Sequence, residues 1–83
     1  MKFEPGNLLY NKRTKGVWLV VEALPINQRG SYARQTVFRL QMNAACIQPG
    51  LDKVNHAGST DTWWMQQEDG SDQDNMWTVI NEV

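Results

Sequence analysis

Three groups of residues in this chain carry side chains capable of chemistry. Cys46, Asp52 and His56 fall in one short stretch and supply a thiol, an imidazole and a carboxylate, the parts of a nucleophile, its base and the group that orients the base. Such a site needs a cleft on a rigid scaffold, which a chain of 83 residues seldom builds, so the preferred reading is a half-buried free thiol and a surface imidazole. One Cys and one His also fall short of the four ligands of a structural zinc. Asp69, Asp72 and Asp74 have the density of a calcium loop but lack its glycine at position six and glutamate at position twelve, which leaves a solvated acidic turn. No glycine-rich phosphate loop occurs. The expectation is a protein without enzymatic activity, metal or other cofactor.

The third group is a binding constellation. Lys12, Arg13 and Lys15, with Tyr10 and Trp18 close by, have the make-up of a patch that holds single-stranded nucleic acid by phosphate contacts and base stacking. A pI of about 5.7 opposes this, because nucleic-acid domains are usually basic overall. The charge is unevenly spread. Residues 1–39 hold seven cationic side chains against two carboxylates, a net of +5, and residues 40–83 hold one against seven, a net of -6. That asymmetry fits a polyanion-binding surface with an acidic tail, or complementary poles, unless the fold interleaves the two halves. Four tryptophans exceed the needs of one small core, and exposed Trp, Tyr and Arg are the usual anchors of protein interfaces.

The elements that must position these groups are strands. Asn7–Tyr10 leaves a Pro5-Gly6 turn, and Asn11–Gly16 forms a polar loop closed by glycine. Val17–Glu22 is the strongest strand, with Val17, Leu19 and Val21 assigned to the core face and Trp18 to the outer face, and Pro25 is expected to end it. Asn27–Ser31 reads as a turn-rich loop. Thr36, Phe38, Leu40 and Met42 alternate with Val37, Arg39, Gln41 and Asn43 and define a half-buried strand with its apolar face inward. From there to Asp61 the pattern dissolves, apart from a Pro49-Gly50 turn in which the glycine would supply a positive φ, and Ala44–Ile47 reads alternatively as an extension of the strand or a turn of helix. Thr62–Gln66 is a strand whose adjacent Trp63 and Trp64 point to opposite faces, and Met76–Asn81 is the last strand, after an acidic loop. The expected core is Leu19, Val21, Phe38, Leu40 and Trp63.

At 83 residues with 41% hydrophobic and 20% charged residues, the chain makes one globular domain spanning residues 1–83. A compact chain of its mass exposes roughly 5,000 Å². No run approaches the roughly 18 apolar residues of a membrane span, so no membrane partner is expected. The start at Met1–Gly6 shows no secretion signal, and a single cysteine forbids an internal disulfide.

Five short strands of this kind suit a small curled antiparallel sheet of the mainly β class. Glu4-Pro5-Gly6-Asn7-Leu8-Leu9-Tyr10, then Gly16–Glu22, Trp63-Trp64 and a terminal Trp77-Thr78-Val79-Ile80 resemble the SH3-like small barrels of tailed phages. Their usual opening is Pro-Gly-Asp-Leu-Val, followed by a glycine and a Val/Leu-rich second strand. The resemblance covers the first strands and the end of the chain. This sequence departs from the pattern in Asn7, where the family has Asp, and in the long loop before the fourth strand. The resemblance implies a five-stranded antiparallel SH3-like barrel that binds or assembles rather than catalyses. On that basis the expected function is a protein-binding module that is a small virion component, a capsid-decorating or adaptor protein, found in the virion or host cytoplasm and able to oligomerise. The alternative is a nucleic-acid-binding or host-regulating phage protein. The expected docking surface is the segment Ala44–Ser59, with Cys46, Ile47, Leu51 and His56, beside the face bearing Trp18 and Trp64. The basic loop and the acidic turn would orient the partner.

Overall fold

A computed structural model describes residues 3–30, 36–51, 56–73 and 75–81. Five strands follow one another: β1 (Leu8–Asn11), β2 (Val17–Arg29), β3 (Val37–Gln48), β4 (Thr60–Met65) and β5 (Trp77–Val79). A 3-10 turn, Ser71–Gln73, precedes the last strand. All pairings are antiparallel, in the order β4-β3-β2-β1-β5, and the sheet is open, with no β4–β5 pairing among the described residues.

The sheet is nevertheless curled until its two edge strands face each other. Trp63 of β4 packs edge-on against Trp77 of β5 at 5.2 Å between ring centres, and edge-on against Trp18 of β2 at 4.9 Å. Three indoles from three strands thus span the concave side, in the perpendicular geometry that aromatic quadrupoles favour. Phe3, Leu9, Val20, Leu40, Met42, Ala44, Cys46 and Met65 complete the buried core with Trp18 and Trp77.

The core face of β2 is the opposite of the one expected. Trp18 is 3% exposed and Val20 1%, whereas Val21 is 49% exposed and Val17 and Leu19 are half-buried. Two features explain the inversion. Trp18 pairs with Cys46 and Val20 with Ala44, and these small inward residues of β3 leave the volume that an indole fills. The register then shifts between Val20 and Glu22, with Val21 as the extra residue, so the inward phase passes from Trp18 and Val20 to Ala23. Of the expected core, Leu40 is buried and Trp63 packs against it, but Leu19 and Phe38 are only half-buried and Val21 faces out.

Two strands are longer than expected. β2 runs through Pro25 to Arg29, so the loop assigned to Asn27–Ser31 belongs to the strand as far as Arg29. Beyond Val20, whose backbone also bonds Gly6 and Asn7, it is paired only with β3 among the described residues, and a proline is tolerated in such a one-sided strand beside the irregularity between Pro25 and Gln28. β3 continues past Asn43 to Gln48, with Ala44 and Cys46 inward and Ala45 and Ile47 outward. Since β4 pairs only with Leu40–Ala45, the outer parts of β2 and β3 project as a two-stranded ribbon.

Asn7, where the resembled family has Asp, is 4% exposed. Its Oδ1 accepts from Glu4 N at 2.8 Å, and its amide donates to the Asn81 carbonyl at 3.3 Å. Asn81 reciprocates, its Oδ1 accepting from Leu8 N and its amide donating to the Gly6 carbonyl. A carboxylate at position 7 would keep the first bond, lose the second and face a carbonyl with a buried charge. Asn7→Asp is therefore expected to destabilise the fold by about 1–3 kcal/mol, measured by urea unfolding at neutral pH. Recovery on protonation at acid pH would mark the charge as the cause.

Candidate functional site

The loop joining β1 to β2 is built on Asn11, 5% exposed, whose Oδ1 accepts from Arg13 N at 2.9 Å and Thr14 N at 3.0 Å. Its backbone accepts from Lys15 N and donates to the Gly16 carbonyl, and Lys15 takes a left-handed φ of 68° to close the loop. Lys12, Arg13 and Lys15 are exposed on it. Trp18 is buried, so the basic patch has no tryptophan for base stacking. Arg13 also shares a shallow cleft with Asp72, Gln73, Asn75 and Met76, and Lys12 N donates to the Met76 carbonyl. The fold brings the basic loop up against the acidic turn, which interleaves the two charge poles at this end of the molecule.

The acidic turn is occupied with folding. Asp72 accepts from Gln66 N at 2.8 Å and Gln67 N at 3.3 Å. Asp69 accepts from Ser71 N at 2.9 Å, and the bonds from the Ser71 backbone and hydroxyl hold its carboxyl below the usual range. Asp61 accepts from Thr62 N, so donors in and just beyond the edge strand β4 end on carboxylates. Asp52 and Asp74 lie outside the described residues. Among the described residues, no three His, Cys, Asp or Glu side chains gather as metal ligands.

The segment Ala44–Ser59 is not one loop. Its first part is β3, where Cys46 is 1% exposed in the core, fully rather than half buried and inaccessible to a partner. Ile47, Leu51 and His56 are exposed, Leu51 at 74%. Leu51 N donates to the Thr14 carbonyl, which docks the Pro49–Leu51 turn on the first loop. Gly50 does not have the positive φ expected of it. Its role is close approach, since an added Cβ would lie 2.1 Å from Thr14 O.

The outward face of the sheet gathers the exposed apolar groups. Leu8 stands opposite Leu19, Leu19 opposite Ala45, and Ile80 N donates to the Leu8 carbonyl, giving an apolar row across four strands with Val21 and Ile47 alongside. Val21 and Ile47 are each 49% exposed and Ile80 53%. Next comes a polar ladder, in which the Asn43 amide donates to Glu22 Oε1 at 3.0 Å and the Thr62 hydroxyl donates to Asn43 Oδ1 at 2.8 Å. Beyond it lies a second row, Leu24, Gln41 and Trp64, with Trp64 half-exposed. Trp64 is therefore outward, as its spacing implied, but about 20 Å along β3 from Ile47, so it and the loop after β3 share a face rather than a pocket. Trp18 is not on this face. Sequence reasoning missed Leu8, Leu24 and Ile80, for which the signal was the alternation within their own strands.

No protein-family model matches this chain, and neither a curated protein nor a solved structure does.

Proposed function

We propose that this protein is a non-enzymatic protein-docking module of the SH3-like type, a small virion component that decorates a capsid or adapts one structural protein to another. The observation that carries the docking reading is the outward sheet face. Leu8, Leu19, Val21, Ile47 and Ile80 on one side and Leu24 and Trp64 on the other flank a polar ladder whose side chains already bond one another, so a partner can cover the face without stranding that ladder's mutual bonds. The curl that brings β4 and β5 together through tryptophan packing, and the short turn before the last strand, support the SH3-like reading. The virion setting rests on the resemblance of the Pro5–Tyr10 and Gly16–Glu22 segments to phage barrels.

Immunodetection of the protein in purified virions tests the setting, and absence from particles rejects it. The surface is tested by Val21→Asp combined with Ile47→Asp. Both positions are half-exposed, so the melting temperature is expected to stay near that of the wild type while incorporation into particles is lost. Normal incorporation of the double variant places docking elsewhere. Binding to nucleic acid instead would show a steep loss of affinity with salt, depending on Lys12, Arg13 and Lys15.

A further inference from the structure

The two edges of the sheet are finished differently. Along β4 the amides of Thr62 and Gln66 already end on the carboxylates of Asp61 and Asp72. At β5 the bonding phase is set by Ile80 N donating to the Leu8 carbonyl and Lys12 N to the Met76 carbonyl, with Tyr10 opposite Thr78 between them. Residues two apart in an antiparallel ladder bond in the same direction, so Thr78 faces β1 while the N–H and C=O groups of Trp77 and Val79 face away from it. Among the described residues no hydrogen bond reaches those four groups. The surrounding stretch 75–81, Asn-Met-Trp-Thr-Val-Ile-Asn, holds no charge, proline or glycine, the composition of a segment that pairs with another strand. It carries none of the lysines, prolines or bulges that keep strand edges apart.

We propose that the free edge of β5 pairs with β5 of a second copy of this chain, antiparallel, about a two-fold axis at Thr78. Trp77 of each copy then stands opposite Val79 of the other, and their free N–H and C=O groups satisfy one another in both pairs. The edge is its own complement, because two donor–acceptor pairs spaced two residues apart match themselves when the strand is reversed. Head-to-tail pairing of β5 with β4 would instead have to displace Asp61 and Asp72, whereas the two-fold contact uses up both β5 edges and closes at a dimer. Thr78, exposed on the outward side, meets the Thr78 of the other copy in a favourable cross-strand pair. The contact is made by backbone groups and leaves Val21, Ile47 and Trp64 uncovered, so it does not rest on their role in docking.

Sedimentation equilibrium of the full chain over a concentration series tests this, read together with circular dichroism as a check on folding. The wild type is expected to approach twice its 9.5 kDa as the concentration rises to about 1 mM, the weak end of measurable affinity. Val79→Pro removes an N–H that points away from β1, so the ladder within the chain is kept, proline being tolerated at such an edge position. That variant is expected to be folded and monomeric. A second measurement does not depend on the proline. In the proposed register the two Thr78 residues form a non-hydrogen-bonded pair with Cα atoms roughly 4.5 Å apart, within disulfide reach. Thr78→Cys is therefore expected to give a covalent dimer on mild oxidation with copper–phenanthroline, the native Cys46 being buried. Ile80→Cys is the control, because its counterparts would lie roughly 14 Å apart along the strands, and its cross-linking is expected to be much slower. A wild type that stays monomeric at about 1 mM, a dimer that persists in folded Val79→Pro, or equal cross-linking at positions 78 and 80 overturns the proposal.

Discussion

Trp18→Ala is expected to cost roughly 4–6 kcal/mol, of the roughly 4–12 kcal/mol that a chain of this length has in total. Deleting a buried aromatic side chain leaves a cavity worth about 3–5 kcal/mol. Here it also removes one of the two edge-on contacts of Trp63, at about 0.5–1.5 kcal/mol. The inward residues of β3 beside it, Ala44 and Cys46, are too small to refill the cavity. Urea unfolding followed by far-UV circular dichroism measures the loss, and the near-UV signal of the packed indoles should fall with it. Trp64→Ala is the matched control. That ring is half in solvent, and its removal is expected to change stability by about 0.5 kcal/mol or less. If the two variants melt alike, Trp18 faces outward, as the alternation in β2 first suggests.

The second large effect comes from a residue with no side chain. In Gly50→Ala the new Cβ would lie 2.1 Å from Thr14 O and 2.8 Å from Gly16 N, both backbone atoms that no rotamer change can move. The Pro49–Leu51 turn would have to lift from the first loop, giving up the Leu51 N–Thr14 O bond and disturbing Gly16, which lies against the Trp18 indole. A cost of about 3 kcal/mol is expected, at the upper end for overpacking. Gly58 separates this cause from backbone strain. A Cβ there meets nothing within 4 Å, but its φ of +88° is left-handed, so Gly58→Ala should cost only about 1–2 kcal/mol. Thermal melts that rank Gly58→Ala as the worse of the two would reject the close-approach account.

Where one face of a strand is polar, the sequence is a good guide. Leu40 and Met42 point inward between Arg39, Gln41 and Asn43, and the adjacent Trp63 and Trp64 take opposite faces. The reading fails where both faces are apolar. Val17–Val21 has no polar partner to fix its phase, and the size match to Ala44 and Cys46 lies more than twenty residues away in the chain. Ala44–Ile47 is ambiguous for the same reason, since its inward and outward residues are equally apolar, and of the two readings, strand extension or a turn of helix, the structure has the first. Pro25 misleads because a local rule against proline holds for strands paired on both sides, and β2 is paired on one side there. Of the candidate site, Ile47, Leu51, His56 and Trp64 are at the surface, while Trp18 and Cys46 serve the core. The carboxylates of Asp69 and Asp72 bind backbone of their own turn, a use that composition does not distinguish from partner orientation.

The edge strand β4 bears on how large any assembly of this chain can grow. A bare strand edge is a template, and each copy added to it presents a fresh edge, so growth by that route is a one-dimensional polymerisation without a natural end. Here the Asp61 carboxylate sits on Thr62 N and the Asp72 carboxylate on the two amides just past the strand, so an incoming strand would have to displace charged acceptors from donors they already hold. The two aspartates thus act as guards on this stretch of edge, and growth by strand addition there carries the cost of displacing them.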